Sequence, residues 1–418
     1  MQPPPLKNDC FALPPGVHWT PVEEAHARLQ HVLHGVTAIE DVALEHAEAR
    51  FLARDVRAAR SNPPTPNSAV DGYGFAGPMA EGAHILPLVE GRAAAGNPFS
   101  DSVPPGMAIR ILTGAALPDG VDTVVLEEDV TTDAEKIAFR GPVKKGANAR
   151  DAGEDVEGGK IILTRGTRLR AQELAILAAT GVHRIPVFKS LRIGILSTGS
   201  ELQEIGADAT ATQIYDANRP MLLALIARWG YTPVDLGHVP DDRETLRARL
   251  DQAAGQADVI LTSGGASAGD EDHVSALLTE TGTMELWRIA IKPGRPLAMA
   301  IWRGVPVFGL PGNPVAAFVC AVIFAEPAFR LLAGGHWRTP EGFMVPAAFA
   351  KNKKPGRREY LRARLTPDGT AEVFGSEGSG RISGLAWATG LVELEDGACD
   401  IQPGTPVRYI PFTSFGVD

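Results

Sequence analysis

The stretch LTSGGASAGDEDHV, Leu261–Val274, is the most informative part of this sequence. The letters ADVILTS predict a buried strand, three glycines follow it, and a helical pattern begins after an acidic run. Glycines let a backbone bend sharply and approach a ligand, so that its N–H groups can face phosphate oxygens. The carboxylates of Asp270, Glu271 and Asp272 would repel a bare phosphate unless a divalent cation lay between them. The segment therefore predicts a phosphate-bearing ligand held together with a metal such as Mg²⁺.

The same α/β texture extends on both sides of this loop, from Leu191 to about Gly335. LRIGILS, TPVDLG and DVILTS predict strands, and RPMLLALIARWG and DDRETLRARLDQAAGQ predict helices. Strands that alternate with helices pair in parallel through right-handed crossovers, and ligands bind at the carboxyl ends of such strands. The loops STGSEL, SGGASAGDED and IKPGRP each follow a predicted strand, so we expect them to share one site.

The remainder of the chain has a different pattern. Residues 1–18 are Pro-rich and we expect them to be loosely held, and Thr20-Pro21-Val22-Glu23 predicts a capped helix start. A second helical pattern runs from about Glu40 to Ala59. Short strands between Gly/Pro turns, such as MAIRIL and DTVVLEE, predict a β-rich domain, and RAQELAILAAT predicts a helix closed by Gly181. The tail from about Trp337 predicts a β domain.

Composition limits the class of protein. A chain of 418 residues with 44% hydrophobic and 22% charged residues predicts a globular protein of more than one domain. The net charge of −10 argues against broad nucleic-acid binding. The cysteines, Cys10, Cys320 and Cys399, form no zinc or disulfide pattern. No signal peptide begins the chain, and the longest apolar run, Val315 to Ala325, is too short to span a bilayer. We therefore expect a soluble, cytoplasmic protein.

Several carboxylates are candidate functional groups, each with a structural alternative. Asp71, in NSAVDGYGF, is also a typical turn aspartate before glycine. Glu201, in STGSEL, is either a ligand or a favourable charge at a helix N-terminus. Asp241 and Asp242 precede a helix, so that helix capping and metal binding are both open for Asp242.

Basic and small residues suggest anion binding nearby. Lys292 and Arg295 flank the Pro-Gly turn of IKPGRP, where charge is costly unless an anion lies near. In FGLPGNPVAAF the turn Pro311–Asn313 lies between a strand and a helix and directs helix N–H groups towards the ligand edge. A plain structural turn is the alternative in both cases. Thr113 and Gly114 could form an ordinary β-turn, and Arg150 could pair with Asp155 on the surface.

The motif pattern argues against some enzyme classes. GxSxG occurs as Gly265–Gly269, but the histidines lie in no recognisable nucleophile context, which argues against a Ser–His–Asp hydrolase. GxxxxGK[ST] is absent, and GxGxxG occurs as Gly72–Gly77 within the predicted β-rich domain rather than between a strand and a helix, which argues against a P-loop ATPase and an ordinary NAD enzyme.

An ordered set of motifs resembles the MoeA family of molybdopterin molybdenumtransferases, to which the C-terminal domain of gephyrin also belongs. The matching segments span about residues 65–320, with weaker similarity from about 20 to the C-terminal end. They are NSAVDGYGF, TGAALPDGVDTVVLEE, GEDVEGG, STGSEL, QIYDANRPML, TSGGASAGDEDHV, IKPGRP and FGLPGNPVAAF.

This resemblance implies a reaction and a fold. Family members insert molybdenum from molybdate into the dithiolene of adenylylated molybdopterin and release AMP, with Mg²⁺ required. The fold class implied is an elongated, multidomain α/β plus β protein, with a MoaB/MogA-like three-layer α/β domain of mostly parallel strands. The predicted domains are linking segments at 19–64 and 151–190, a β-rich inserted domain at 65–150, the molybdopterin-binding domain at 191–336, and a β-barrel-like domain at 337–418.

The resemblance also implies a partner and assigns residues. The β-rich domain of one subunit joins the site of the other in a homodimer, and molybdopterin adenylyltransferase and molybdoenzyme maturation factors are possible partners. The implied metal ligands are Glu201, Asp242 and Asp272. The implied catalytic residues are Asp71, Glu201, Asp272, Lys292 and Arg295. The implied substrate-binding and phosphate-binding residues are Thr113, Gly114, Ser263, Gly264, Gly265, Ser267, Gly269, Pro311, Gly312 and Asn313.

The sequence departs from the family pattern at a few positions but keeps every implied catalytic charge. Both valines of GGVSVG are alanines here, Ser200 replaces an acidic residue, and Arg295 replaces a lysine. Two other functions stay open. An adenylyltransferase that uses ATP shares the GGxSxG loop, and the region around Asp71 argues against it. A non-catalytic scaffold or cofactor-binding protein is the second, and the intact charges argue against it.

Overall fold

The computed structural model describes residues 19–133, 135–264, 273–280, 285–294 and 296–417. These residues form two compact units. One contains the described parts of 1–40, 49–51 and 188–418, and the other contains 41–48 and 52–187. Each unit is described by itself below.

Helices are concentrated in the first of these units. The α-helices are α1 (Val22–Val32), α2 (Ala171–Ala179), α3 (Asn218–Arg228), α4 (Arg243–Gln256), α5 (His273–Glu280), α6 (Pro314–Cys320), α7 (Glu326–Leu332) and α8 (Ser383–Trp387). A π-helical turn, Ala321–Ala325, joins α6 to α7.

Strands occur along the whole chain. The strands before residue 190 are β1 (Ile39–Ala43), β2 (Val56–Arg57), β3 (Asn67–Ser68), β4 (Gly72–Phe75), β5 (Met79–Ala93), β6 (Ala108–Ile111), β7 (Thr123–Leu126), β8 (Val130–Thr132), β9 (Lys136–Val143), β10 (Ala149–Arg150), β11 (Ile161–Leu163) and β12 (Arg184–Phe188). The strands from 191 to 310 are β13 (Arg192–Thr198), β14 (Leu202–Gln203), β15 (Ile214–Tyr215), β16 (Thr232–Val239), β17 (Val259–Ser263), β18 (Glu285–Arg288), β19 (Ile291–Lys292), β20 (Pro296–Trp302) and β21 (Val305–Leu310). The C-terminal strands are β22 (Phe343–Pro346), β23 (Lys351–Lys353), β24 (Arg358–Leu365), β25 (Ala371–Val373), β26 (Gly390–Leu394), β27 (Cys399–Ile401) and β28 (Pro406–Pro411).

The first helix begins differently from its prediction. Pro21 occupies the N-cap position of α1, and no side chain caps the helix. Thr20 lies in an extended segment instead, where its N–H donates to the Arg288 carbonyl at 2.9 Å and its carbonyl accepts from Ala290 at 2.8 Å. The predicted capping role of the Thr20 hydroxyl is therefore wrong.

The predicted helix from Glu40 to Ala59 is also wrong. This segment contains β1, the short 3₁₀ turn Leu44–His46 and β2. Ala49 has a positive φ of 62°, which an α-helix cannot contain. The apolar residues that suggested a helix pack instead on the core around Leu177 of α2. Helix α2 itself lies within the predicted RAQELAILAAT segment, and Gly181 follows it with a φ of 77°.

The unit of 41–48 and 52–187 is rich in β structure, as predicted. Its main sheet has the strand order β7-β4-β6-β5-β9-β8. The pairs β10-β3 and β11-β2 form separate two-stranded sheets. Three apolar clusters lie in this region, around Phe75, Ile111 and Ile109. Asp155 accepts from the Asn62 amide at 2.9 Å, which gives it a partner other than the predicted Arg150.

The other unit contains the predicted α/β domain. Its six-stranded sheet has the order β16-β13-β17-β21-β20-β18. Strands β16, β13, β17 and β21 are parallel, which confirms the prediction, whereas β20 and β18 continue the sheet in antiparallel pairing. The parallel strands bring the loops that follow β13, β17 and β21 to one edge of the sheet.

Helices cover both faces of this sheet and make it a three-layer structure. Leu250 of α4 and Leu277 of α5 pack with Leu196 and Ile260 on one face. On the opposite face Phe308 of β21 contacts Phe329 of α7 edge-to-face, with ring centroids 5.6 Å apart.

The helix that follows β21 extends beyond the apolar run Val315 to Ala325 of the sequence. By length and composition alone, the continuous helix Pro314–Leu332 could cross a membrane. However, 83% of the most apolar 18-residue segment of this helix is buried inside the protein, as in the core helix of a globular domain.

The C-terminal residues form a β domain, as predicted. Its sheet has the order β19-β24-β26-β28-β22, with β25 beside β24, and its core surrounds Val392. Strand β19, which contains Lys292, pairs in parallel with β24 of this sheet. The sequence placed the loop IKPGRP after a strand of the α/β sheet, together with the other two loops. In the structure its first residues form β19, which belongs to the C-terminal sheet instead.

Candidate functional site

The ends of three adjacent parallel strands meet closely at one edge of the α/β sheet. Gly264, after β17, has a φ of 97°, and a Cβ atom there would lie 2.4 Å from the Thr198 carbonyl oxygen at the end of β13. A Cβ on Gly312, after β21, would lie 3.7 Å from the Gly264 Cα. The Gly264 N–H donates to the Leu310 carbonyl at 3.2 Å. The glycines predicted to bind substrate therefore have a packing role as well.

Asn218, the first residue of α3, links two of these loops. Its amide nitrogen donates to the Ser263 hydroxyl at 2.8 Å and to the Gly312 carbonyl at 2.7 Å. Sequence reasoning assigned no role to Asn218, although it lies in the QIYDANRPML segment at the beginning of a predicted helix. Its side chain is a structural link between the two loops that the sequence did not indicate.

Unsatisfied polar atoms line the same edge of the sheet. Ser197, Thr198 and Thr262 are buried, and their hydroxyl oxygens have no hydrogen-bond partner in the part of the chain that the structure describes. The Asn218 Oδ1 atom is likewise buried without a partner there. Buried polar atoms without partners are costly, so their concentration at the strand ends is typical of a polar binding site.

Glu201 extends from the loop that follows β13, and its carboxylate is exposed. Its Oε2 atom lies over Gly199, where an added Cβ would be only 2.5 Å away. Two hydrogen bonds hold the backbone of this loop, one at Gly199 and one at Glu201. The His238 Nε2–H donates to the Gly199 carbonyl at 2.6 Å, and the Ile214 N–H donates to the Glu201 carbonyl at 2.9 Å.

Asp241 and Asp242 have different contacts. Asp241 and Ser200 exchange two bonds: Ser200 N–H donates to the Asp241 carboxylate at 2.8 Å, and Asp241 N–H donates to the Ser200 hydroxyl at 3.0 Å. Asp242 caps α4 by accepting from the Thr245 N–H at 2.8 Å. Hydrogen bonds from the Thr245 side chain and backbone lower the pKa of Asp242 below its ordinary value. Among the described residues no group of three His, Cys, Asp or Glu side chains is placed to hold a metal.

Lys292 lies in a cluster of opposite charges in the C-terminal part of the unit. Its Nζ atom is 2.5 Å from Glu377 and 3.5 Å from Glu359, and Lys351 pairs with the same two carboxylates. Burial raises the pKa of Glu377, but its bonds to Lys292 and Lys351 outweigh that effect and lower it. A cavity of about 190 Å³ beside these residues is also lined by Arg362 and Val315.

The turn Pro311–Asn313 lies between the end of β21 and α6, whose Val315 lines this cavity. Asn313 is the N-cap of α6, but its side chain makes no capping bond. The Val315 N–H at the start of α6 donates to the Ser379 carbonyl at 3.0 Å, so this helix N–H is already occupied. The predicted set of helix N–H groups facing a ligand is thus smaller than the sequence suggested.

Asp71 belongs to the other unit and binds Thr113 there. Its Oδ1 atom accepts from the Thr113 N–H at 2.6 Å and from the Thr113 hydroxyl at 2.7 Å. These two bonds lower the pKa of Asp71, with a further contribution from the charge of Arg110. Gly114 follows with a φ of 76°. The structure therefore brings together Asp71 and Thr113, two residues that the sequence singled out separately.

Part of the predicted site lies outside the described residues. These positions are Gly265, Ser267, Gly269, Asp270, Glu271, Asp272 and Arg295.

Comparison with known families identifies matches along most of the chain. Residues 20–181 match the MoeA N-terminal region (domains I and II), and residues 194–331 match a probable molybdopterin binding domain. Residues 344–412 match the MoeA C-terminal region (domain IV).

Individual proteins are similar over nearly the whole length. A molybdopterin molybdenumtransferase of Haemophilus influenzae is 34% identical over 398 residues, which cover 94% of this chain and 98% of the relative. One from Bacillus subtilis is 30% identical and covers 93% of each chain. The crystal structure of a molybdopterin biosynthesis MoeA protein from Pyrococcus horikoshii OT3 superimposes with a TM-score of 0.81 at 28% identity, covering 94% of this chain and all of that one.

Proposed function

The chain belongs to the molybdopterin molybdenumtransferase family of molybdenum cofactor biosynthesis, and on this basis we propose the reaction that it catalyses. It transfers molybdenum from molybdate to the dithiolene of adenylylated molybdopterin and releases AMP, in a reaction that needs Mg²⁺. This proposal rests on the geometry at the carboxyl ends of the parallel strands, where Gly264, Thr198 and Gly312 lie close together. Buried hydroxyls at these strand ends have no hydrogen-bond partner among the described residues. An edge of this kind suits a polar, phosphate-bearing substrate.

Single oxygen donors near this edge suit a hard cation such as Mg²⁺, although the described residues contain no group of three His, Cys, Asp or Glu side chains placed to hold one. Glu201 offers an exposed carboxylate, and the Thr198 hydroxyl at the end of β13 has no partner in the described chain. Such oxygen donors are the ligands that Mg²⁺ prefers. We propose that Glu201, Asp242 and Asp272 hold the ion, and for Asp242 this requires a carboxylate oxygen other than the Oδ2 atom that caps α4. The bound ion would neutralise phosphate charge during anhydride cleavage.

Other residues would bind the substrates. Lys292 and Arg295 are proposed to attract molybdate, and Ser263, the loop glycines 264, 265 and 269, and Ser267 to hold phosphate. For Lys292 this requires that the anion compete with Glu359 and Glu377 for the same ammonium group. The turn Pro311–Asn313 would form the floor of the substrate site.

We also propose a homodimer in which the segment around Asp71, with Thr113 and Gly114, completes the site of the second subunit. The domain boundaries given above, a cytoplasmic location, and contacts with molybdopterin adenylyltransferase and with molybdoenzyme maturation factors belong to the same proposal.

The first experiment measures AMP release by the purified protein loaded with adenylylated molybdopterin, with and without molybdate and Mg²⁺. Release that needs both, with molybdenum retained on the pterin, would support the reaction. Binding without release under all conditions would favour a cofactor-binding or scaffold protein. Production of adenylylated molybdopterin from ATP would favour an adenylyltransferase.

A second experiment tests the composite site. Asp71→Asn and Glu201→Gln are each expected to be inactive, but mixing and reassociating them should restore about a quarter of wild-type activity, because half of the dimers then carry one intact site. A mixture as inactive as its components would contradict a site shared between subunits.

A further inference from the structure

Arg219, the second residue of α3, is the centre of an ion-pair cluster close to the Glu201 loop. Its guanidinium lies 2.5 Å from Glu204, 3.2 Å from Asp216 and 3.0 Å from Asp235. Only 13% of its side chain is exposed. Three nitrogens of the guanidinium therefore engage three separate carboxylates, in a fixed planar geometry that a lysine ammonium does not have.

The three carboxylates come from three different parts of the fold. Glu204 lies directly after β14, Asp216 lies just before α3, and Asp235 lies in β16. Burial disfavours the charge of Arg219, but its bonds to Asp235 and Glu204 outweigh that effect and raise its pKa. Without Arg219, three like charges would be left close together, one of them on the nearly buried Asp216. The cluster thus depends on this one cation.

One path of contacts leads from Arg219 to Glu201 through the paired strands β14 and β15. Glu204 lies three residues after Glu201, and Asp216 N–H donates to the Gln203 carbonyl at 3.2 Å. The short strands β14 and β15 pair in parallel between these points. The same ribbon supplies the Ile214 N–H that holds the Glu201 carbonyl at 2.9 Å.

A second path runs through β16. Asp235 accepts from the Gly237 N–H at 2.8 Å, and the pairing of β16 with β13 changes register at this point. The next residue, His238, donates to the Gly199 carbonyl at 2.6 Å, directly under the Glu201 carboxylate. Arg219 is therefore connected to the backbone on both sides of Glu201, and its ion pairs among the described residues are with Glu204, Asp216 and Asp235 rather than with Glu201.

We infer that Arg219 is a positioning residue that fixes the Glu201 carboxylate in its orientation for the cation and phosphate. This inference rests on the proposed function of Glu201. Residues that orient a metal ligand in this way affect metal affinity or activity about 10- to 100-fold when they are replaced.

The test compares Arg219→Gln with Arg192→Gln as a matched control. Arg192 forms an ion pair with Asp258 at 2.7 Å, but at the amino end of β13, away from the Glu201 loop. Arg219→Gln should raise the Mg²⁺ concentration for half-maximal AMP release about 10- to 100-fold and approach the wild-type rate at saturating Mg²⁺. Arg219→Lys should be intermediate, and Arg192→Gln should match the wild type.

Two further measurements separate positioning from general stability. Hydrogen exchange of the peptide 199–216 should be faster in Arg219→Gln and unchanged in Arg192→Gln, and this measurement does not depend on turnover. In a Glu201→Gln background, Arg219→Gln should cause no additional loss of directly measured Mg²⁺ affinity, because it acts through Glu201.

The outcomes distinguish this inference from the proposed function. If the wild type releases no AMP, the proposed reaction is wrong, and hydrogen exchange still decides whether Arg219 holds the segment. Unchanged exchange in Arg219→Gln would overturn the inference. So would faster exchange combined with a wild-type Mg²⁺ requirement, since Arg219 would then only stabilise the fold.

Discussion

Gly264 lies so close to Thr198 that a Cβ atom at position 264 would stand 2.4 Å from the Thr198 carbonyl oxygen. The two residues end neighbouring parallel strands, β17 and β13, whose last paired residues are Ser263 and Ser197. No side chain fits between them, so the glycine sets how closely the two loops approach. The shape of the proposed substrate site depends on this contact.

Gly264→Ala should therefore destabilise the α/β unit and reduce AMP release. Both the positive φ and the contact with backbone oppose an alanine, and strain of this kind costs about 1–3 kcal/mol. The measurement is the denaturation midpoint of the variant together with its activity. Gly255→Ala is the matched control, because Gly255 lies in α4 with open space where a methyl group would be added, and it should stabilise the helix by about 0.5–1 kcal/mol. Equal midpoints for the two variants would contradict the close contact.

Asn218→Asp should weaken the same edge of the sheet by a different mechanism. The substitution keeps the shape but removes the N–H donors to Ser263 and Gly312, and leaving a buried carbonyl unpaired costs about 1–3 kcal/mol. The midpoint of chemical denaturation and the affinity for adenylylated molybdopterin should both fall. Asn97→Asp, at an exposed position outside the sheets, serves as the control and should change neither. Wild-type affinity in Asn218→Asp would show that the link between the two loops is dispensable.

The bonds between Thr113 and Asp71 predict a pH-dependent contribution to stability. The pKa of Asp71 is lowered in the folded protein from its ordinary 3.8, so the bonds stabilise the fold above that pH. This stabilisation is lost as the pH falls through the lowered pKa of the folded state. Thr113→Val, which removes the hydroxyl bond, should thus melt below the wild type at pH 7, and the difference should shrink below about pH 4. Thr131→Val, at an exposed position of β8, should show no such pH dependence.

Cys320 is expected to be unreactive in the folded protein. It is buried in α6, and burial raises the pKa of its thiol to about 12, so that almost no thiolate exists at about pH 8. Labelling with a maleimide under native conditions should modify Cys399, which is partly exposed, and spare Cys320. Denaturation should make Cys320 reactive, and Cys399→Ser should remove the native label at that position. Rapid native labelling of Cys320 would indicate that α6 opens in solution.

The sequence predicted the α/β domain well because its elements have strong local signals. Alternating apolar strands and helices located β13, β16, β17, α3 and α4. The same reasoning was wrong between Glu40 and Ala59, where apolar residues at helical spacing pack from strands and a 3₁₀ turn onto α2. Local spacing carries no information on such long-range contacts, and the positive φ of Ala49 has no sequence signal.

The candidate site was predicted in part. The residues Asp71 and Thr113 were singled out separately, and the structure joins them through two hydrogen bonds. The partners of Lys292 could not be predicted, because Glu359 and Glu377 follow it by 67 and 85 residues and reach it only through the pairing of β19 with β24. The roles of Asn218 and Arg219 were missed for the same reason.

The family and the parallel α/β core could be read from the sequence, since motifs and apolar periodicity are local properties of a chain, and the charged residues of the proposed site remain a prediction. Which of these groups are already occupied, and which remain available, became known only from the fold. Asp242 caps a helix, Val315 donates to Ser379, and Lys292 is shared by two carboxylates, whereas the Glu201 carboxylate is exposed. The physical reason is that a hydrogen bond or ion pair depends on distance in space, which the fold sets between residues far apart in the chain.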